Sequence, residues 1–208
     1  MNKHEMALLE RWTAMWQRLG ALEHGRSICE DLLKRYGEPH RAYHNLAHLE
    51  HCFAELDEAR DLANSPDRIA LALWFHDAIY ETAAKDNEEQ SADLARATIT
   101  KAALPIDLAD SVAELILATK HDTAPASLDA QLLVDIDLAI LGQPQDRFDE
   151  YERQVRQEYA WVSDTLFQSG RRAVLQSFLN RPSIYATVRM RNKYEVQART
   201  NILRSLNG

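Results

Sequence analysis

Ile69-Ala-Leu-Ala-Leu-Trp-Phe-His-Asp-Ala-Ile-Tyr80 opens with the longest unbroken apolar run of the chain, Ile69 to Phe75, and a His-Asp pair follows directly. Upstream, Ser65-Pro66 is a helix start, with Ser at the N-cap and Pro at the first helical position, where the missing N–H is harmless. From there Ile69, Leu73 and His76 follow the i, i+4, i+7 spacing of one helix face. Asp77 comes four residues after Leu73 and three after Trp74, on the same apolar side. An imidazole and a carboxylate set together into so hydrophobic a helix are costly unless an opposite charge or strong hydrogen bonds compensate. A divalent cation is the simplest compensation, and a His-Asp pair at a pocket rim or bonded to Arg is the alternative.

The helical period recurs on both sides. A first helix is predicted over about 4–19, with Leu8, Leu9, Trp12, Met15, Trp16 and Leu19 on one face and a stop at Gly20. A second, about 22–36, turns Ile28, Leu32 and Tyr36 inward and ends at Gly37. Pro39 makes 37–43 a loop. A third starts near Asn45 and carries Leu49, Phe53 and Leu56. After the helix opened by Ser65-Pro66, Asp86-Asn87-Glu88-Glu89 resembles a capping box and begins a fifth helix, to about 102. Pro105 breaks it, and a sixth, about 107–119, buries Val112, Leu115 and Ile116. Ser127 caps a seventh that carries Leu132, Leu133 and Ile136 and ends by Gly142. Two more are predicted over about 145–162 and 164–180, and Asn192 with Glu195 reads as a capping box opening a last helix that buries Val196, Ile202 and Leu206. About nine or ten helices, no strand and no linker predict one all-α domain.

Composition agrees. Six Gly and six Pro in 208 residues are too few for a turn-rich sheet protein. With 24 Lys and Arg against 32 Asp and Glu the net charge is −8, which argues against a nucleic-acid polymer or a membrane surface as partner. A small phosphorylated ligand held by a few local cations stays compatible with it. Two cysteines, Cys29 and Cys52, cannot form a disulfide framework and fit a reducing compartment. Met1-Asn2-Lys3-His4-Glu5 leads into a charged amphipathic segment, and Ile69 to Phe75 is far shorter than the ~20 residues a bilayer span needs. A cytoplasmic protein is expected. The aromatic first helix serves either as core or as a dimer face, with core favoured, and the oligomeric state is left open.

Four of the eight histidines fall in one window, His40, His44, His48 and His51. On one continuous helix the last three would share a face, and imidazole is the commonest protein ligand of transition metals. Farther on, Gln131-Leu-Leu-Val-Asp-Ile-Asp-Leu-Ala-Ile-Leu-Gly142 again interrupts an apolar run with carboxylates. Asp135 and Asp137 are about 200° apart on a helix, so they cannot both face one site. One is a candidate ligand, the other a cap or an Arg partner.

Taken in chain order, His48, His76-Asp77 and Asp137 resemble the HD superfamily of metal-dependent phosphohydrolases, whose pattern is a His, an adjacent His-Asp pair and a distal Asp on the helices of one bundle. The runs Arg41-Ala-Tyr-His-Asn-Leu-Ala-His48, Trp74-Phe-His-Asp-Ala-Ile-Tyr80, Asn87-Glu88 with Ser91-Ala92, and Asp135 to Gly142 are similar to a bacterial subfamily of predicted HD phosphohydrolases. Glu158-Tyr-Ala-Trp-Val162 and Gly170-Arg171-Arg172 extend that likeness over most of the chain. The resemblance implies a single HD-type helical domain over 1–208 with a metal-site core at approximately 40–142. It implies His48, His76, Asp77 and Asp137 as metal ligands, with Asp137 favoured over Asp135 because Asp-Leu-(small)-(aliphatic) follows it.

Tyr43-His-Asn-x-x-His48 also resembles a stretch of the cyclic-nucleotide phosphodiesterases, where the first His is a general acid and the second binds metal. His44 is thereby implied as proton donor, with Asp77 as a catalytic carboxylate. Some HD proteins carry further histidines where His121 stands, binding a second metal or the substrate phosphate. This chain lacks the adjacent His pair of the fuller two-metal pattern, so one ion is implied and a second stays open; a cation near a helix C-terminus is the plainer role for His121. Lys85, Lys120, Arg171 and Arg172 are the candidate phosphate-binding cations, each with surface charge as its ordinary alternative. His and carboxylate ligands without Cys suit Mn, Fe, Co, Ni, Zn or Mg.

There is no Gly-rich phosphate loop, no Ser or Cys nucleophile motif and no Rossmann fingerprint. The expected function is therefore metal-dependent hydrolysis of a phosphoester or phosphoanhydride of a small molecule, a nucleotide first among them. The alternative is a non-catalytic nucleotide-binding or regulatory helical module that keeps the site for ligand capture.

Overall fold

A computed structural model describes residues 2–21 and 25–207, and these form ten α-helices with no strand among them. At the centre lies α4 (Pro66–Phe75), whose residues from Ile69 to Phe75 are all buried. A helix apolar on every side needs neighbours on every side. Here α1 (Lys3–Arg18), α3 (Leu46–Glu58), α5 (Asn87–Lys101), α6 (Ile106–Leu117) and α7 (Leu128–Asp137) supply them. Trp12 and Trp16 of α1 stack at 4.8 Å, and Trp12 meets Trp74 edge-on at 5.3 Å, so the aromatic first helix is core. The antiparallel pair of α5 and α6 closes one flank. α2 (Arg26–Tyr36) packs on α1; α8 (Gln145–Glu158), α9 (Asp164–Leu179) and α10 (Val188–Asn207) complete the bundle. One continuous apolar cluster runs from Leu8 to Leu206. No described helix is long and apolar enough to cross a membrane.

Several helix starts differ from the expectation. The second helix begins at Arg26 after Gly25 (φ +56°), and the predicted start at 22 lies outside the described residues. The Ser65 side chain makes no capping bond; the carboxylate of Asp129 instead accepts the Asn64 and Ser65 N–H groups, tying this turn to α7. The box at Asp86 does not form: the Asp86 side chain makes no cap bond and Glu89, which would close the box, pairs with Lys120, while Asn87 bonds both the N–H and the C=O of Glu81. α8 ends at Glu158, short of 162, where Arg156 takes up the carbonyls of Tyr159 and Val162. The last helix starts at Val188, ahead of Asn192, and Glu195 spends its carboxylate on the N–H groups of Ile184 and Tyr185. With that start, the inward face holds Met190, Tyr194, Ala198 and Ile202, and Val196, expected inside, is 82% exposed. Leu9, Leu19 and Ile28 are half-buried at the rim of the core.

A 3₁₀ turn, Leu138–Gly142, follows α7 and packs under α10. A Cβ on Gly142 would stand 2.5 Å from Cβ of Tyr194. Gly142→Ala is therefore expected to lower stability by about 1–3 kcal/mol through overpacking, read as a drop in the thermal midpoint.

Candidate metal centre

The ends of three helices and one turn bring the chemistry together. Asn45 caps α3, its side chain accepting from the N–H of Ala47 at 2.9 Å, which sets His48 in the first turn. His76 is the C-cap of α4 and Asp77 follows it, while Asp137 is the last residue of α7. His121 ends the 3₁₀ turn after α6 in a left-handed conformation (φ +59°).

The Nε2 atoms of His48 and His76 are 3.1 Å apart. Oδ2 of Asp77 is 3.5 Å from the first and 3.1 Å from the second; Oδ1 of Asp137 is 3.4 and 3.7 Å away from them. Ligand atoms ~2.1 Å from one ion lie about 3.0 Å apart at octahedral corners and about 3.4 Å apart at tetrahedral ones. The distances between the two imidazoles, and from them to each carboxylate, match neighbouring corners of one coordination shell.

The tautomer fits as well. Nδ1 of His76 is 2.8 Å from the Leu73 carbonyl, which can only accept, so Nδ1 carries the proton and Nε2 turns its lone pair inward. Opposite it stand another ring nitrogen and two carboxylates, an arrangement that calls for positive charge at the centre.

Cys52 is a residue the sequence reading did not include. His48, Cys52, His76 and Asp137 offer atoms all within 4.8 Å of one another, a group that could hold a metal ion. The i, i+4 spacing of His48 and Cys52 on α3 was the available signal. The Cys52 sulfur is 3.7 Å from Nε2 of His48 and 3.8 Å from Nδ1. A point equally far from both nitrogens lies against the ring, off the Nε2 lone-pair direction, and burial pushes the thiol pKa up, which disfavours the thiolate. Asp77 is the better-placed partner.

Without a cation, protons take its place. Burial alone would depress the His76 imidazole, but the charge of Asp77 and then Asp137 raise it above the ordinary value. Burial opposes the charge of Asp137 too, yet hydrogen bonds from His121 and His48 hold it well below the carboxylate range. Because metal ligation needs a neutral imidazole, protons compete with the ion. Apparent affinity is expected to fall as pH drops through the His76 range, which starts above the usual ~6.5. Calorimetry in buffers of different ionisation enthalpy should record proton release on binding.

The two aspartates divide as the helix angle requires. Asp135 is fully buried and faces away, accepting from the N–H groups of Ala186 and Thr187 and from the Thr187 hydroxyl. Asp135→Asn is expected to cost about 1–3 kcal/mol of stability with metal stoichiometry unchanged. Asp137→Asn should lose metal instead.

His44 does not share a helix face with His48 and His51, because the helix starts after Asn45. It lies 2.7 Å (Nδ1) from Oε2 of Glu158, and its ring stacks on Tyr80 at 4.3 Å. Burial opposes the Glu158 charge, but His44 and the N–H groups of His44 and Tyr43 hold the carboxyl down at about 2. His51 turns to Glu55 and Gln143, and His40 to the Tyr80 carbonyl, both outside the centre. Buried Arg41 donates to the carbonyls of His44, Asp77 and Ala78, fixing the loop before α3 against the turn after α4. His121 approaches Oδ2 of Asp137 at 3.3 Å, so it stands at the edge of the centre.

A cavity of about 750 Å³ opens beside the centre, lined by His44, Asp77, His121 and Asp137 among others. Of the four predicted cations, Lys85, Lys120 and Arg171 reach its wall; Lys120 is paired with Glu89 and Arg171 with Glu152. Arg172 does not, since the helical turn sends it to the Leu206 carbonyl at 2.6 Å. His48, His76, Asp77 and Asp137 lie between 40 and 142 in the chain, but Glu158 and the α9 wall come from beyond it. In comparisons with known proteins, no family model, no curated protein and no solved structure matches this chain.

Proposed function

We propose that this protein is a metal-dependent phosphohydrolase that cleaves a phosphoester of a small molecule. The observation that carries the reading is the convergence of His48, His76, Asp77 and Asp137 at 3.1–3.7 Å, with His44 backed by Glu158 on the wall of the same cavity. The resemblance to the HD phosphohydrolases is independent support, since it rests on the order of those four residues in the chain. A divalent cation held there would neutralise phosphoryl oxygens and lower the pKa of a bound water.

The chain's own groups then have separate tasks. Asp77 faces the cavity and is placed to accept a hydrogen bond from the attacking water. His44, oriented by Glu158 through Nδ1, presents Nε2 to the leaving oxygen and gives it a proton as the P–O bond breaks. Arg41 holds the two backbone segments that set the His44–Asp77 distance. Lys85 and His121, both on the cavity wall, are the groups assigned to steadying the non-reacting phosphoryl oxygens.

The test is direct. Purified protein, stripped and reloaded with Mn, Fe, Co, Ni, Zn or Mg one at a time, is assayed for bound metal per chain and for phosphate release from a panel of phosphoesters. Near-stoichiometric metal with metal-dependent release supports the reading. A chain that takes up none of these ions overturns it, and one that binds ion and nucleotide but releases nothing is the regulatory module instead.

A further inference from the structure

We infer that the ligand of this cavity is a phosphomonoester of an apolar alcohol, with its phosphate beside His44 and Asp77 and its carbon body along α9. The hydrolytic step rests on the function proposed above, whereas the ligand class rests on the cavity alone.

The volume, about 750 Å³, is far more than a phosphate group fills. Leaving the metal centre, the wall turns apolar: Val155, Val162, Leu166, Phe167, Val174 and Phe178. Val162, Leu166 and Val174 are not taken up by the core, whereas Val155 and Phe178 are buried in it and Phe167 packs against it. Only Leu175 and Phe178 of α9 are buried, while Leu166 is 68% and Val174 45% exposed. Apolar side chains along an open cavity that continues into a polar centre match a ligand with one charged end and one greasy end.

Charge limits the other end. Two of the three cavity cations, Lys120 and Arg171, already have carboxylate partners, and Lys85 has none among the described residues. Glu88 and Asp122 add negative charge to the wall beyond Asp77 and Asp137. That leaves compensation for one phosphoryl group and none for a di- or triphosphate chain. Asn87, the one amide on the wall, has both ends bonded to the Glu81 backbone and cannot read a nucleobase edge. In the reaction the water oxygen bonds to phosphorus as its proton passes to Asp77, the P–O bond to the alcohol breaks as the leaving oxygen takes the His44 proton, and the products are the neutral alcohol and inorganic phosphate.

Binding and turnover test this separately. Calorimetry on the Mn-loaded protein compares methylphosphonate, octylphosphonate below its micelle concentration, and adenosine monophosphate. Octylphosphonate is expected to bind at least about ten-fold tighter than either of the others. Val174→Asp, an exposed change remote from the metal, should erase that advantage and leave methylphosphonate affinity unchanged. Adenosine monophosphate binding as tightly as octylphosphonate, or a Val174→Asp chain that keeps the advantage, overturns the ligand class. Hydrolysis of octyl phosphate is measured in parallel. Preferred binding with no release of phosphate from any ester refutes the phosphohydrolase reading and upholds the ligand class; release with a preference for nucleotides does the reverse.

Discussion

His76→Ala is expected to leave a folded, helical chain that no longer retains a divalent ion. Nε2 of His76 lies within 3.1–3.7 Å of the candidate ligand atoms of His48, Asp77 and Asp137, so its loss would open the proposed shell. Removing a group that merely orients a metal ligand weakens binding by about 10–100-fold, and losing the ligand itself should exceed that. Metal-dependent phosphate release should fall with occupancy. Elemental analysis after dialysis gives the occupancy, and circular dichroism checks the fold. The control is His51→Ala, whose ring faces Glu55 and Gln143 and should leave metal content intact. Full occupancy in His76→Ala would place the ion elsewhere.

His44→Ala should separate binding from chemistry. The ring is not among the closely spaced ligand atoms, so metal content should hold while kcat drops by about 10²–10⁴-fold, the usual worth of a positioned general acid. The loss should depend on the leaving group. An ester of a poorly acidic alcohol needs the proton and should show the full effect; p-nitrophenyl phosphate, whose leaving group departs as a stable anion, should show much less. Glu158→Gln keeps the shape but removes the charge behind Nδ1, and should give a smaller loss with the same leaving-group trend. A uniform loss across esters would assign His44 to substrate positioning rather than proton transfer.

Much of the centre was legible because its residues break a strong local rule. A His and an Asp following Ile69 to Phe75 conflict with hydrophobic burial, and the conflict itself marks the site. The helix angle showed that Asp135 and Asp137 cannot both face one site but not which of them does; the resemblance alone favoured Asp137. The parts that escaped are those joined by long-range contacts. Glu158 reaches His44 across 114 residues, and no helical period announces that bond. Cys52 was hidden as an ordinary apolar position on α3. The capping boxes at Asp86 and Asn192 failed for a related reason: Glu89 and Glu195 found partners outside their own helices, in Lys120 and the Ile184 N–H, and a cap is only one of the bonds such side chains can make.

The amino-acid order by itself determined which stretches are helical and that His76 is buried, while Asp77, expected on the same apolar side, lies half-buried past the end of α4; periodicity, Pro, Gly and the cost of burying charge act over a turn or two of chain. The tertiary structure alone decided that Arg172 points away from the centre and that α9 lends the cavity an apolar wall, and it turned Asp137, which the resemblance favoured, toward the centre. Those outcomes depend on how helix ends meet in space, and distances of 3–4 Å between residues tens of positions apart are set by packing of the whole core.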